Sequence, residues 1–361
     1  KMNLGELPIP PTSEQMIKTC NSYYHSFYIE MVRMSNVNLN DYVSKFLNLV
    51  TELTKSPGTS NVIRASIGVV ALHRFGYNDF HKLSRLFDRL LPQTDPEYVK
   101  FTSWCAGQLI HHPDASQLRY SSHLVQRLIG WTRSKGRRSR PLAGAYLLHA
   151  LSVNAGSTVV FSFHSIQSTI WQLVSHPSTL VLQATASAVF AFTRAFIRYG
   201  RSELKEYMAF FDILCTKLLS FSDPIREYAS LIIFEQLISS NPDYFTATFP
   251  DLYSNIVENS NDEPMLVQGA AYLTIASLSR VDPKYFLDNV VDNLFEQTDT
   301  VLLEFPREIV TALSIMCESI PEYMEQKIDN LKDFANELIN VPKEAFHLLT
   351  VIVEKFGEKV Y

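Results

Sequence analysis

Prolines punctuate this chain at near-regular intervals, and their spacing constrains the fold more than any other feature. Between Asp223 and Met324 two signals alternate. The first is Asp223-Pro224-Ile225-Arg226-Glu227, then Glu263-Pro264-Met265-Leu266, then Phe305-Pro306-Arg307-Glu308, recurring after 40 and 42 residues. The second is Asn241-Pro242-Asp243-Tyr244-Phe245, then Asp282-Pro283-Lys284-Tyr285-Phe286, then Ile320-Pro321-Glu322-Tyr323-Met324, recurring after 41 and 38. Proline suits the first helical turn, where its missing N–H has no intrahelical partner and its fixed φ is already helical. Two helix starts per period of about 40 residues describe a helix pair that cannot bury its apolar face alone and must stack on its neighbours.

The expected fold is therefore all-α: a HEAT/armadillo-type α-solenoid, a superhelix of antiparallel helix pairs. Followed backwards, Pro96, Pro141, Pro177, Pro224, Pro264, Pro306 and Pro342 lie 45, 36, 47, 40, 42 and 36 residues apart. That drift suits HEAT repeats better than the stricter helical repeats of about 33 or 34 residues. The expected organisation is an irregular lead-in and first helix over 1–40, a solenoid of about eight repeats over 41–356, and a tail at 357–361.

Helical periodicity supports this reading. Ser13 to Met34 predicts the first helix, and a polar break at 35–41 is expected before the next, with Asn40 or Asp41 as its N-cap. Further helices are predicted over 42–55, 60–75, 79–91, 95–111, 116–134, 139–155, 159–175 and 177–199. In the second half, three stripes nearly superimpose: Phe245-Phe249-Leu252-Tyr253-Ile256-Val257, Phe286-Leu287-Val290-Val291-Leu294-Phe295 and Met324-Ile328-Leu331-Ala335-Leu338. Each describes one apolar stripe on a helix face. Ile225–Leu237 and Leu266–Leu278 are apolar or small nearly all round, which places them inside the stack. Ala229, Gly269-Ala270 and Ala312 would let inner helices approach closely.

Composition narrows the function classes. An apolar fraction of 46% excludes wholesale disorder, and 12 glycines with no Asn-Gly or Asp-Gly turn argue against a sheet-rich chain. Cys20, Cys105, Cys215 and Cys317 form no C-x-x-C pair and read as reduced thiols, which implies a cytoplasmic or nuclear setting. No basic-then-apolar leader opens the chain. Its start at Lys1 fits a processed product or a piece of something longer. The apolar run Leu180 to Ile197 is interrupted by Gln183 and Arg194 and reads as a buried helix. Charge is uneven: residues 1–180 hold 18 Lys+Arg and 10 Asp+Glu (+8), whereas 181–361 hold 14 and 27 (−13). The two ends could prefer partners of opposite sign, or the drift could be one between solvated faces.

No nucleotide-binding, metalloprotease, nucleophile-elbow or kinase catalytic motif occurs, so the segment is read as non-enzymatic, with no catalytic, cofactor or metal residues. His111-His112 near Cys105 lacks a fourth ligand. His73 and His81 flank a predicted turn and read as a polar loop edge. One cluster stands out: Arg133, Lys135, Arg137, Arg138 and Arg140, five cations in eight residues joining two predicted helices. It is either a docking spot for an acidic protein segment or phosphate, or a solvated turn whose cations offset a helix dipole. Nucleic acid is disfavoured because no aromatics interleave with the cations.

Arg85-Leu86-Phe87-Asp88-Arg89-Leu90-Leu91-Pro92-Gln93-Thr94-Asp95-Pro96 resembles the N-terminal HEAT solenoid of target-of-rapamycin (TOR) kinases. Leu128-Ile129-Gly130-Trp131, Arg137-Arg138 with Ala143, Val160-Phe161 through Ile170, Ser239-Ser240-Asn241-Pro242-Asp243-Tyr244-Phe245 and Gln268-Gly269-Ala270-Ala271-Tyr272-Leu273 continue the series in order, over about 41–300. His176-Pro177-Ser178 and Leu182-Gln183-Ala184 depart from it. The resemblance implies a non-catalytic scaffold segment of a large Ser/Thr protein kinase in nutrient and growth signalling. It also implies dimeric assembly and Raptor-type or Rictor-type partners, in the cytoplasm or at endomembranes. The alternative is a free-standing HEAT-repeat adaptor or transport receptor.

Overall fold

A computed structural model describes residues 3–357 apart from 35, 57, 92–95, 112–113, 134–138, 222, 244–264 and 303. The described residues are helical and form two compact units, Lys1–Leu204 and Lys205–Tyr361. Each is a two-layer stack of helix pairs, the HEAT/armadillo-type architecture that the proline spacing implies.

The first unit contains α1 (Ser13–Val32), α2 (Asn36–Lys55), α3 (Thr59–Phe75), α4 (Phe80–Leu90), α5 (Pro96–Leu109), α6 (Ala115–Arg133), α7 (Ser139–Asn154), α8 (Gly156–Phe161), α9 (Phe163–Val174) and α10 (Thr179–Tyr199). An inner row runs α3–α5–α7–α10, and an outer row runs α2–α4–α6–α9. The amino-acid patterns separate the rows. On α3, Val62, Ile63 and every residue from Ala65 to Leu72 are buried, so the helix is covered on most sides. On α4, burial is confined to Leu83, Ser84, Leu86, Phe87 and Leu90, one stripe with a charged opposite face. Gly107 on α5 brings the inner row close: a methyl added there would sit 3.5 Å from the Ala150 carbonyl oxygen on α7. α1 lies across α3 and α5, anchored where the Ser13 N–H donates to Glu97 Oε2 at 3.1 Å. A 3-10 turn at Leu4–Glu6 precedes it, and Arg64 Nε donates to the Leu7 carbonyl at 3.0 Å.

By length and composition α10 could cross a membrane. In this fold Val181, Leu182, Val189, Phe192 and Phe196 are buried, and the helix packs on α7 and α8.

The second unit contains α11 (Leu204–Leu219), α12 (Pro224–Ser240), α13 (Met265–Val281), α14 (Pro283–Asn289), α15 (Val291–Val301), α16 (Pro306–Ser319), α17 (Pro321–Gln326), α18 (Ile328–Glu337) and α19 (Pro342–Phe356). Its inner row runs α12–α13–α16–α19. α12 and α13 are buried nearly all round, as their composition predicts. Ala229, Ala270 and Ala312 are all buried, and the Thr274 hydroxyl on α13 donates to the Leu231 carbonyl on α12 at 3.0 Å. The outer segments meet where Phe295 and Phe334 rings lie 5.7 Å apart and the Tyr323 hydroxyl donates to Asp292 Oδ1 at 2.6 Å.

Caps explain many of the starts. Asp79, Asp223 and Asp282 accept backbone N–H bonds from Lys82, Ile225 and Tyr285 at 2.9, 3.0 and 2.9 Å. Two expectations are corrected. α2 starts at Asn36, so Asn40 and Asp41 lie inside the helix; Asp41 is no cap but pairs with Lys45 one turn on, at 2.6 Å. The helices expected over 159–175, 286–295 and 324–338 are each interrupted, at Ser162, Val290 and Lys327. Two of the new segments open at the interrupting residue itself: Leu294 donates to the Val290 carbonyl at 3.1 Å and Leu331 to the Lys327 carbonyl at 3.0 Å. Bending there keeps Met324 buried on one segment and Ile328 and Leu331 buried on the next. The expected Phe245–Val257 stripe lies outside the described residues.

Candidate protein-docking site

Of the basic cluster, Arg133 is exposed at the end of α6 and Arg140 is half-buried at the start of α7. The Nε of Arg140 is buried without a hydrogen-bond partner. Lys135, Arg137 and Arg138 lie outside the described residues.

The first unit has a cleft elsewhere, of about 670 Å³, lined by side chains from α1, α3, α4, α5 and α6 and by the turn at 76–78. Arg74, in the last turn of α3, is its centre. Its Nη1 donates to Asn21 Oδ1 on α1 at 2.8 Å, and its Nη2 donates to Gln108 Oε1 on α5. The guanidinium lies 5.3 Å from the Tyr24 ring centroid and 5.6 Å from that of Trp104. Tyr24 returns the contact, its hydroxyl donating to the Arg74 carbonyl at 3.2 Å. One side chain thus ties three helices together and leaves a cation–aromatic surface at the cleft.

The turn below Arg74 depends on Gly76. Its φ of 92° is left-handed backbone, and its N–H closes on the His73 carbonyl at 2.9 Å to end α3. Asp79 then starts α4 three residues on. Across the cleft, the His111 ring Nδ1 sits 3.2 Å from Asn154 Oδ1, and Asp114 Oδ1 accepts the Gln117 N–H at 2.8 Å to cap α6. Gln117 is 7% exposed, and its Oε1 has no hydrogen-bond partner.

His73 and His111, met in the sequence as separate features, therefore line one cleft, whereas His81 and Cys105 do not. Tyr24, Arg74, Gln108, Asp114 and Gln117 carry no local motif. Their one sequence signal is position: Arg74, Gln108, Asp114 and Gln117 stand at helix ends, while Tyr24 lies in the middle of α1.

The second unit has a related polar ladder along its inner row. Glu235 on α12 is 5% exposed. Its carboxylate accepts the Ser239 hydroxyl at 2.7 Å, the Ser277 hydroxyl at 3.4 Å and the Gln236 amide. Arg280 on α13 donates to Ser239 Oγ at 2.9 Å and to Glu318 Oε2 on α16 at 3.1 Å. Burial raises the Glu235 pKa, opposed by these hydroxyl and amide donors and by the Arg280 charge. The four cysteine thiols are buried, and burial pushes Cys20, Cys215 and Cys317 up to about 12.

No protein-family model matches this sequence, and no curated protein matches it. Among solved structures, the chain is similar to Kap121p bound to Nup53p, at 13% identity and a TM-score of 0.43, over 92% of this chain and 42% of that one. It is also similar to Kap121p bound to Ste12p, at 13% identity and a TM-score of 0.43, over 97% and 43%. The chain spans less than half the length of these structures.

Proposed function

We propose that this chain is a protein-binding scaffold and that the cleft around Arg74 is a docking site for an acidic, polar protein segment. The observation that supports this is the convergence of Arg74, His73, Gln117, Tyr24 and Phe80, from four helices, and of His111, from the turn after α5, on one cleft. It offers a cation, hydrogen-bonding groups and aromatic faces, the elements of polar side-chain recognition. The basic turn from Arg133 to Arg140 is proposed as a second docking spot for segments of the same charge.

The finer reading is a scaffold segment of a TOR-type kinase, supported by the ordered resemblance over about 41–300. In that reading Raptor-type or Rictor-type subunits are its partners, residues 41–356 form about eight repeats, and the chain acts in the cytoplasm. The alternative, a free-standing HEAT adaptor or transport receptor, rests on the same stacked helix pairs.

The test is affinity capture with the wild-type chain, a cleft variant carrying Asn78→Glu and His111→Glu, and a turn variant carrying Arg137→Glu and Arg138→Glu. Asn78 and His111 are exposed, so those substitutions leave the core untouched. The expected result is loss of recovered partners in the cleft variant. Recovery of Raptor-type or Rictor-type proteins supports the TOR reading, and recovery of transport cargo or a small GTPase supports the alternative. Equal recovery by all three proteins contradicts docking at either place.

A further inference from the structure

α19 closes the inner row of the second unit with an apolar face exposed. Phe346 is 70% exposed, Leu349 41% and Val353 53%. These residues are spaced i, i+3, i+7 and share one side of the helix. A flanking side about a quarter-turn round the helix, Leu348, Ile352 and Phe356, is buried, and the helix packs on α16 and α18.

The repeat register shows what the exposed side is for. Counted from the proline that starts each inner helix, Phe346, Leu349 and Val353 hold positions +4, +7 and +11. The same positions on α16 are Val310, Leu313 and Cys317, all buried to 1% exposure or less. On α12 they are Tyr228, Leu231 and Glu235, each 4–5% exposed. Two hydrogen bonds give these positions their direction. The Leu231 carbonyl and the Glu235 carboxylate of α12 both accept hydroxyls from the following inner helix, from Thr274 and Ser277 of α13. Positions +7 and +11 therefore point forward along the stack, and in α12 and α16 that forward side is covered. On α19 the forward side is equally apolar and open, continuous with the α12–α13–α16–α19 interface.

We propose that this face seats the next helix pair of the same stack, its inner helix packed in register on Phe346, Leu349 and Val353. A partner helix meeting it would present a side like that of Ile352, which holds position +10, the position from which Thr274 of α13 bonds back to α12.

The experiment extends the chain by joining a second copy of residues 320–357 directly after Gly357. Amide hydrogen exchange is then compared in the original and extended proteins, each with and without Phe346→Asp and Val353→Asp. Both residues are more than half exposed, so the double variant folds as the original does and serves as its own control. The expected result is about tenfold slower exchange across the first copy of α19 in the extended protein, and loss of that slowing in the double variant. Unchanged exchange, or slowing that survives the double variant, overturns the proposal. So does concentration-dependent dimerisation of the unextended chain that Phe346→Asp abolishes, because the occupant would then be a second copy.

Discussion

Arg74 in the first unit and Arg280 in the second sit in the last turn of an inner helix and bond to both neighbouring helices, yet they do so with different chemistry. Arg74 donates to the neutral amides of Asn21 and Gln108 and lies against two aromatic rings. Arg280 bonds to Ser239 and to the Glu318 carboxylate, beside the buried Glu235. The surrounding charge follows the same division. Residues 1–204 carry 21 Lys+Arg and 11 Asp+Glu, a net +10, and residues 205–361 carry 11 and 26, a net −15. The stack thus fixes where a cross-helix cation stands. The local composition decides whether it is held by hydrogen bonds and ring faces or by opposite charge.

The largest expected effect tests the packing of the second unit's inner row. Ala270→Phe forces a large ring into a site 2% exposed and should cost about 1–3 kcal/mol, read as a lower denaturation midpoint. An unchanged midpoint would place Ala270 away from a helix contact.

Next come the two arginines. Arg74→Ala and Arg280→Ala should each cost roughly 1–2 kcal/mol at low salt, since each leaves polar partners unpaired. The comparison sharpens in 1 M NaCl. The Arg280 cost should shrink, because its Glu318 partner is half-exposed and screened, whereas the Arg74 cost should persist. Equal salt sensitivity would erase the distinction between the units.

The third effect is a pH dependence confined to the second unit's ladder. The Glu235 pKa is raised above its ordinary value of 4.5, so the folded protein binds this proton more tightly than the unfolded chain does. The resulting stability is fully present below the ordinary value and is lost as pH rises through the folded one. Glu235→Gln should remove that decline while keeping a group that accepts the serine hydroxyls. A decline of the same size in the variant would assign it to another group.

The smallest effect contrasts two helical glycines. Gly130 on α6 has open space where a methyl would go, and Gly130→Ala should stabilise by about 0.5–1 kcal/mol. A methyl added at Gly269 on α13 would sit 3.1 Å from the Phe305 ring, so Gly269→Ala should give no such gain. Thermal melts of the two variants check this directly.

Much of the fold was legible because local chemistry marks helix starts. Pro224, Pro306 and Pro342 stand first in their helices, and Asp79, Asp223 and Asp282 form the caps. The interruptions at Ser162, Val290 and Lys327 were not legible, since the apolar stripe runs through each one unbroken and the bend serves the neighbouring helix. Nor was α2's start, because exposed Asn and Asp are tolerated inside a helix that an ion pair supports. The cleft around Arg74 was the least visible part. Arg74 and Gln108 are 34 residues apart, and His111 and Asn154 are 43 apart. Only stacking brings such pairs together, and no motif records it.

Native-state hydrogen exchange resolved helix by helix tests the central claim that each inner helix is held by the one after it. The account predicts that α12, α13 and α16 exchange slowest in the second unit and that α19, with its forward side open, exchanges measurably faster. Protection of α19 equal to that of α13 would contradict it.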